Sequence, residues 1–164
     1  MARKKFWTYV KTTPDRYLST LCMGGWGAEV NPNARYEGVG LFNEGQSGKL
    51  HVYTISFTFT GSDYAVGVIQ PSAAGSRVAS CFPVDPTGQG PAAGIYHDSQ
   101  GAISPPFVSR PVPANTRIVF GSGGFAVDKS PNHPLAILPP GWSLTIYPDS
   151  QSSDFGVGFW FCVI

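Results

Sequence analysis

LHVYTISFTFT, residues 50–60, alternates along almost its whole length. Tyr53, Ile55, Phe57 and Phe59 share one face of an extended chain, and Thr54, Ser56 and Thr58 share the other, since strand side chains repeat with a period of two. The pattern predicts a strand with one buried face. YAVGVIQ, residues 64–70, follows after Gly61, Ser62 and Asp63, which suit a tight turn. The two segments are expected to pair as an antiparallel hairpin.

Further strands follow the same reading. Residues 116–120 give a short one, ended by GSGG; residues 142–147 and 155–164 give two more, joined by the polar PDSQSSD. In the last, Phe155, Val157, Phe159, Phe161 and Val163 alternate with Gly156, Gly158, Trp160, Cys162 and Ile164. Its second half is apolar on both faces, which predicts a strand covered on both sides. Gly156 and Gly158 point to close approach of another chain segment or to a bulge. Residues 71–113 are rich in Pro and Gly, longer than an ordinary loop, and are expected to hide short strands. Helical periodicity is confined to a weak turn near residues 16–23. The expected architecture is all-β, a β-sandwich of the jelly-roll kind over residues 39–164, with residues 1–38 as an N-terminal arm.

Composition narrows the class. At 164 residues the chain fits one domain with a sizeable core. Charged residues are 13%, about half of the roughly 25% usual in soluble domains, while Gly numbers 20 and Pro 15. So little charge fits a surface covered by partners, and equally a β-protein whose strands are poor in Lys and Glu. A net charge of +1 excludes strong whole-molecule attraction to nucleic acid or anionic lipid. The charge is uneven, however. Arg3, Lys4, Lys5, Lys11 and Arg16 stand against Asp15 alone in the first 16 residues, with Phe6, Trp7 and Tyr9 among them. They read as an arm that docks on a neighbour, or as a solvated tail. No signal-peptide pattern and no apolar run of membrane-spanning length occur, so the chain is expected to be made in a cytoplasm without membrane insertion. Cys22, Cys81 and Cys162 are odd in number and widely spaced, as reduced thiols are.

No motif carries catalysis, a metal or a cofactor. His51, His97 and His133 lie singly, and His51 falls on the aromatic face at a strand start, a packing or edge position. A cupin-type metal site needs clustered His and Glu. His97 stands beside Asp98 and Ser99, but sequence neighbours rarely form a nucleophile dyad. GSGG lacks the Lys and helix of a phosphate loop.

Pro139, Pro140 and Gly141 form a stiff corner. Two prolines fix φ and lose little entropy on ordering, and Gly141 reaches dihedrals that bulky residues do not. The corner delivers Trp142 to the core or to a neighbour and is expected to set the register of the last two strands.

HPLAILPPGWSLTIYP, the polar loop, and then FGVGFWFCVI resemble the end of small β-sandwich structural proteins of tailed bacteriophage virions, and GKLHVYTISFTFTGSDYAVGVIQ resembles their matching hairpin. Together these segments cover roughly a third of the chain. The resemblance implies that the strand after the Pro-Gly bend pairs with the last strand. It implies a non-enzymatic virion protein without cofactor, placed on the capsid surface or the tail as decoration, cement or a fibre-associated part. The implied partners are further copies, as a homotrimer, and other capsid or tail proteins. That family commonly ends on a charged residue; here Val163 and Ile164 stand instead, which implies an end buried on a partner. Arg3, Lys4, Lys5, Phe6, Trp7, Tyr9, Trp142, Trp160 and Ile164 are the expected assembly residues. The alternative is a receptor- or glycan-binding module of a tail fibre or spike, meeting a host-surface glycan through Tyr, Trp and Asp residues of its long loops; exposed aromatics in residues 71–113 would favour it. A carbohydrate-active or metal-dependent enzyme is a third class.

Overall fold

The computed structural model describes residues 21–29, 37–59, 65–99, 117–120, 125–128, 134–148 and 154–164. These are built of strands in two antiparallel sheets, with no helix among the described residues. In the first sheet β1 (Leu21–Glu29) and β3 (Leu50–Phe59) flank β12 (Asp154–Val163). The far edge of β3 is shared end to end by β9 (Phe125–Asp128) and β10 (Ala136–Leu138). The two residues of β6 (Phe82–Pro83) pair with the start of β1. The second sheet runs β5 (Ser76–Ser80), β7 (Ala93–Asp98), β2 (Gly38–Asn43), β11 (Ser143–Pro148), β4 (Ala65–Gln70) and β8 (Arg117–Phe120).

The pairing is nested. β1 pairs with β12, β2 with β11, β3 with β9 and β10, and β4 with β8, and successive pairs alternate between the two sheets. That order is a jelly roll. Between β4 and β8 the chain inserts β5, β6 and β7, which extend both sheets along one side. This bears out the strands expected within residues 71–113.

Nested pairing corrects two expectations. Strands β3 and β4 are not a hairpin, because they lie in opposite sheets; β3 pairs with β12 and β4 with β11. Likewise β11 does not pair with the last strand. The corner at residues 139–141 instead carries the chain from the first sheet, β10, to the second, β11. A turn signal marks where a chain bends, and a sheet-to-sheet crossing bends as sharply as a hairpin. Two further differences concern β1 and β3. Leu21–Glu29, within the segment expected as an arm, is a sheet strand beside β12. A register shift around Tyr53 reverses the parity of β3, so that Leu50 and Val52 face the core and His51 does not.

The core lies between the sheets. Ile55, Phe57 and Phe59 of β3 meet Val157, Phe159 and Phe161 of β12 from one side, and Val39, Leu41, Ile95, Leu144 and Ile146 close it from the other. Trp142 is partly buried and packs against this cluster. Asn43, at the end of β2, is 2% exposed and hydrogen-bonds in several directions. Its Nδ2 donates to the carbonyls of Gly48 and Leu138 at 3.1 and 2.9 Å, and its Oδ1 accepts from Gly45 N at 3.0 Å. Its backbone N–H donates to Trp142 O at 3.0 Å, and its carbonyl accepts from Gly141 N at 2.9 Å. Trp142 N closes the turn on Pro139 O at 3.1 Å, with Gly141 at φ +79°. Positive φ at the third turn position, after a proline at the second, is the type II pattern.

Beside β1 the chain crosses from β5 to β6 through Cys81, which is buried at the flank of the core. Gly24 leaves the room that the sulfur occupies: a Cβ there would stand 2.6 Å from Cys81 Sγ and 3.1 Å from Ile95 Cδ1 and Cγ1. Overpacking of this kind costs about 1–3 kcal/mol. Gly24→Ala should therefore lower unfolding free energy in urea by about that amount, and Cys81→Ala in the same chain should return about 1 kcal/mol or more. Strict additivity of the two changes would contradict the packing described.

Candidate functional site

Several polar side chains on the described residues pair with one another, while the buried Thr145 hydroxyl has no hydrogen-bond partner among them. His97 Nε2 and Glu37 Oε2 are 2.6 Å apart, and both side chains are largely buried. The His97 ring lies 4.4 Å from the Trp26 ring and 5.5 Å from that of Phe155, closing one end of the core. Asp98, the next residue, points to the opposite face, where it accepts from the Tyr147 hydroxyl at 2.7 Å. The two are back to back across the sheet and do not form a dyad. Arg77 Nε donates to Glu44 Oε1 at 2.7 Å, Arg77 Nη1 to Ser80 Oγ at 3.2 Å, and Tyr96 Oη to Glu44 Oε1 at 3.0 Å. Burial, followed by the bond to Glu44, raises the Tyr96 hydroxyl above its usual range. Among the described residues no three His, Cys, Asp or Glu side chains gather as a metal site. His51 is half-buried, and burial with Lys49 nearby lowers its pKa. His133 lies outside the described residues.

Cys22, Cys81 and Cys162 are buried thiols, none in a disulfide. Burial, then the neighbouring Cys162, pushes Cys22 up to about 11. Burial, then Cys22 and Glu44, pushes Cys81 up to about 12. A buried thiol held protonated in this way is slow to react at neutral pH.

What remains is surface. On the outward face of the first sheet, Met23 lies opposite Phe82 on one side and Trp160 on the other. Phe82 is 52% exposed, and Trp160 leans over Gly158, where a Cβ would meet its ring at 3.3 Å. Ile137, also exposed, lies opposite His51, and His51 lies opposite Cys162. From Trp160 the outward row continues to Thr54 and Asp128, so its apolar part is Phe82, Met23 and Trp160. Ile164 is 63% exposed, while its backbone pairs with Lys49, Ile164 N to Lys49 O at 2.9 Å and Lys49 N to Ile164 O at 2.7 Å.

Of the residues expected for assembly, Trp160 and Ile164 are on this side of the molecule, whereas Trp142 packs against the core from the second sheet. Arg3, Lys4, Lys5, Phe6, Trp7 and Tyr9 lie outside the described residues. Sequence reading missed Met23 and Phe82. Met23 falls in LCMGGWGAE, where glycines interrupt any alternation, and Phe82 belongs to a strand of only two residues.

No protein-family model matches the chain, and no curated protein matches it. Among solved structures, a chain of the Israel acute paralysis virus pentamer is 9% identical with a TM-score of 0.25, over 89% of this chain and 57% of that one. A chain of black queen cell virus is 11% identical with a TM-score of 0.21, over 90% and 64%. This chain thus spans about three fifths of the length of those it overlaps. The jelly-roll assignment rests on the strand order.

The thiols give a pH dependence. From an ordinary value of 9.0, Cys22 and Cys81 rise to about 11 and about 12 on folding, so between pH 9 and those values the unfolded chain binds fewer protons than the folded one. Their contribution to stability is complete below pH 9 and lost as pH rises through the folded values. The urea midpoint should fall between pH 8 and pH 10.5, and fall less in a Cys22→Ala, Cys81→Ala variant. At pH 8 a thiol reagent should label all three cysteines in urea and label them slowly in buffer; rapid labelling of the native protein would contradict their burial.

Proposed function

We propose that the chain is a non-enzymatic structural protein of a virion. The observation that carries the reading is a jelly roll with an outward apolar patch in which Phe82 is exposed and its neighbours Met23 and Trp160 are partly so. The jelly roll is a common fold of viral coat domains and also of lectins and cupins. Buried thiols and the absence of a metal cluster among the described residues favour the first of these over a cupin enzyme. An apolar patch rimmed by polar residues, on a chain so poor in charge, is suited to association. In the finer form of the proposal the chain forms a homo-oligomer, a trimer by the sequence resemblance, on the capsid surface or tail of a tailed phage. Within residues 1–38 the stretch before β1 is proposed to supply a docking arm, while β1 joins residues 39–164 in the sandwich.

A second reading, a receptor- or glycan-binding module, draws on the exposure of Phe82 within residues 71–113. A flat aromatic at a sheet edge can stack on a sugar ring. The same side chain serves association equally well, and its neighbours Met23 and Trp160 are apolar rather than polar.

Sedimentation of the purified protein at micromolar concentration separates the readings. A closed oligomer of defined mass is expected; a monomer that binds glycans on an array would favour the second reading. Trp142→Ala, which removes an aromatic packed on the core, should cost about 3 kcal/mol and yield aggregated or unassembled protein. An assembled variant deficient only in glycan binding would overturn the structural reading.

A further inference from the structure

The two sheets treat their edges differently. Strand β5, at one edge of the second sheet, carries the devices that keep an edge from pairing: it is short, it holds Arg77, and its register breaks between Arg77 and Ala79. Strand β1 carries none of them. Its pairing with β6 involves only Cys22 and Met23, so that among the described residues 24–29 have no partner on the side away from β12. This stretch reads GGWGAE, free of Lys, Pro and bulges, and uncharged until Glu29. Gly25 and Gly27 are exposed, and Trp26 is only partly buried, with its ring against His97 and Phe155 and part of its surface still in water.

We infer that residues 24–29 of β1 receive residues 6–12 of a second copy as an added antiparallel strand. The inference rests on the reading of the chain as a self-assembling structural protein. The occupant follows from three features. FWTYVKT, residues 6–12, is made almost entirely of β-branched and aromatic residues, the composition of a strand. Charge selects its direction. Strand β1 ends on Glu29, opposite Asp154, and Glu37 lies near the same end through its pair with His97 beside Trp26. An antiparallel guest places its N-terminal side there, which brings Arg3, Lys4 and Lys5 past Glu29. The position of β6 argues for a second copy. It occupies the register next to Leu21, so a hairpin folded back from the chain's own N-terminal segment meets β6 before it reaches Gly24. Backbone hydrogen bonds supply the affinity in strand addition, and an apolar guest side chain over Trp26 supplies the selection.

Hydrogen exchange of the full-length chain tests this at two concentrations, one where sedimentation gives monomer and one where it gives oligomer. Amides of residues 24–29 should exchange about tenfold or more slowly in the oligomer, while those of β3 and β12 stay unchanged. A full-length Trp7→Ser, Tyr9→Ser variant should show the same β3 and β12 protection, proof that it folds, and lose the slowing at 24–29. An oligomer whose residues 24–29 exchange as fast as in the monomer would overturn the inference and leave the structural reading standing. Equal slow exchange at both concentrations would also overturn it, since the chain would then cover its own edge. A chain that stays monomeric at every concentration would overturn both.

Discussion

The side chain of Asn43 holds together two places where the chain passes from one sheet to the other. In a jelly roll the nested pairs lie alternately in the two sheets, so most successive core strands are joined by crossings, and each crossing brings backbone carbonyls into the interior. Asn43 ends β2 and begins the crossing to β3, where its amide meets Gly45 and Gly48. It also reaches Leu138 at the end of β10 and, through its backbone, Gly141 and Trp142 in the crossing to β11. An amide suits the position because it combines two donors with an acceptor. Leu, of similar volume, would fill the space and leave the Leu138 and Gly48 carbonyls without a donor.

The registers around this clamp determine what each face displays. With β10 fixed at Leu138 and β3 at Leu50, Ile137 and His51 face outward. Strand β12 enters with Phe155, Val157, Phe159 and Phe161 inward, which leaves Gly156, Gly158 and Trp160 outside, beside Met23 of β1. The apolar patch of Met23 and Trp160 is thus the reverse side of strands whose other faces fill the core, and it ends at Thr54, Ser56 and Thr58 of β3. On the outward side of the second sheet Tyr147 reaches Asp98 and packs with Val66 and Val68. The outward apolar side chains are thus covered in the second sheet and partly open in the first, at Phe82, Met23 and Trp160.

Much of the strand content was legible because alternation is a local property. The strand over residues 50–60, the short strand after Thr116 and the final aromatic strand all declare themselves within a few residues. Partners did not, since pairing here joins residues far apart in the chain: Phe155 with Phe59, and Ser143 with both Phe42 and Gln70. GSD and LPPGW were read as signs of neighbouring strands, though nothing local distinguishes a hairpin from a crossing. Strand β1 escaped notice because Gly24, Gly25 and Gly27 have no side chains to alternate, and Gly24 is small for a reason seen only in three dimensions, the sulfur of Cys81. The bulge near Tyr53 is equally silent in the sequence, yet it turns His51 away from the core. Among the residues expected for assembly, Trp160 was recognisable from the apolar second face of its strand, while Phe82 acquires meaning only beside Met23.

Chemical denaturation of Asn43→Ala, compared with Asn43→Asp, tests the clamp most directly. Truncation strands two carbonyls and one N–H, of which the Leu138 carbonyl is buried, and should cost about 3 kcal/mol. Asn43→Asp keeps the acceptor for Gly45 N but turns a carboxylate oxygen on the other two carbonyls, and should cost at least as much at pH 7. A loss below about 0.5 kcal/mol in both variants, the level of an ordinary surface substitution, would contradict the dependence of the two crossings on this side chain.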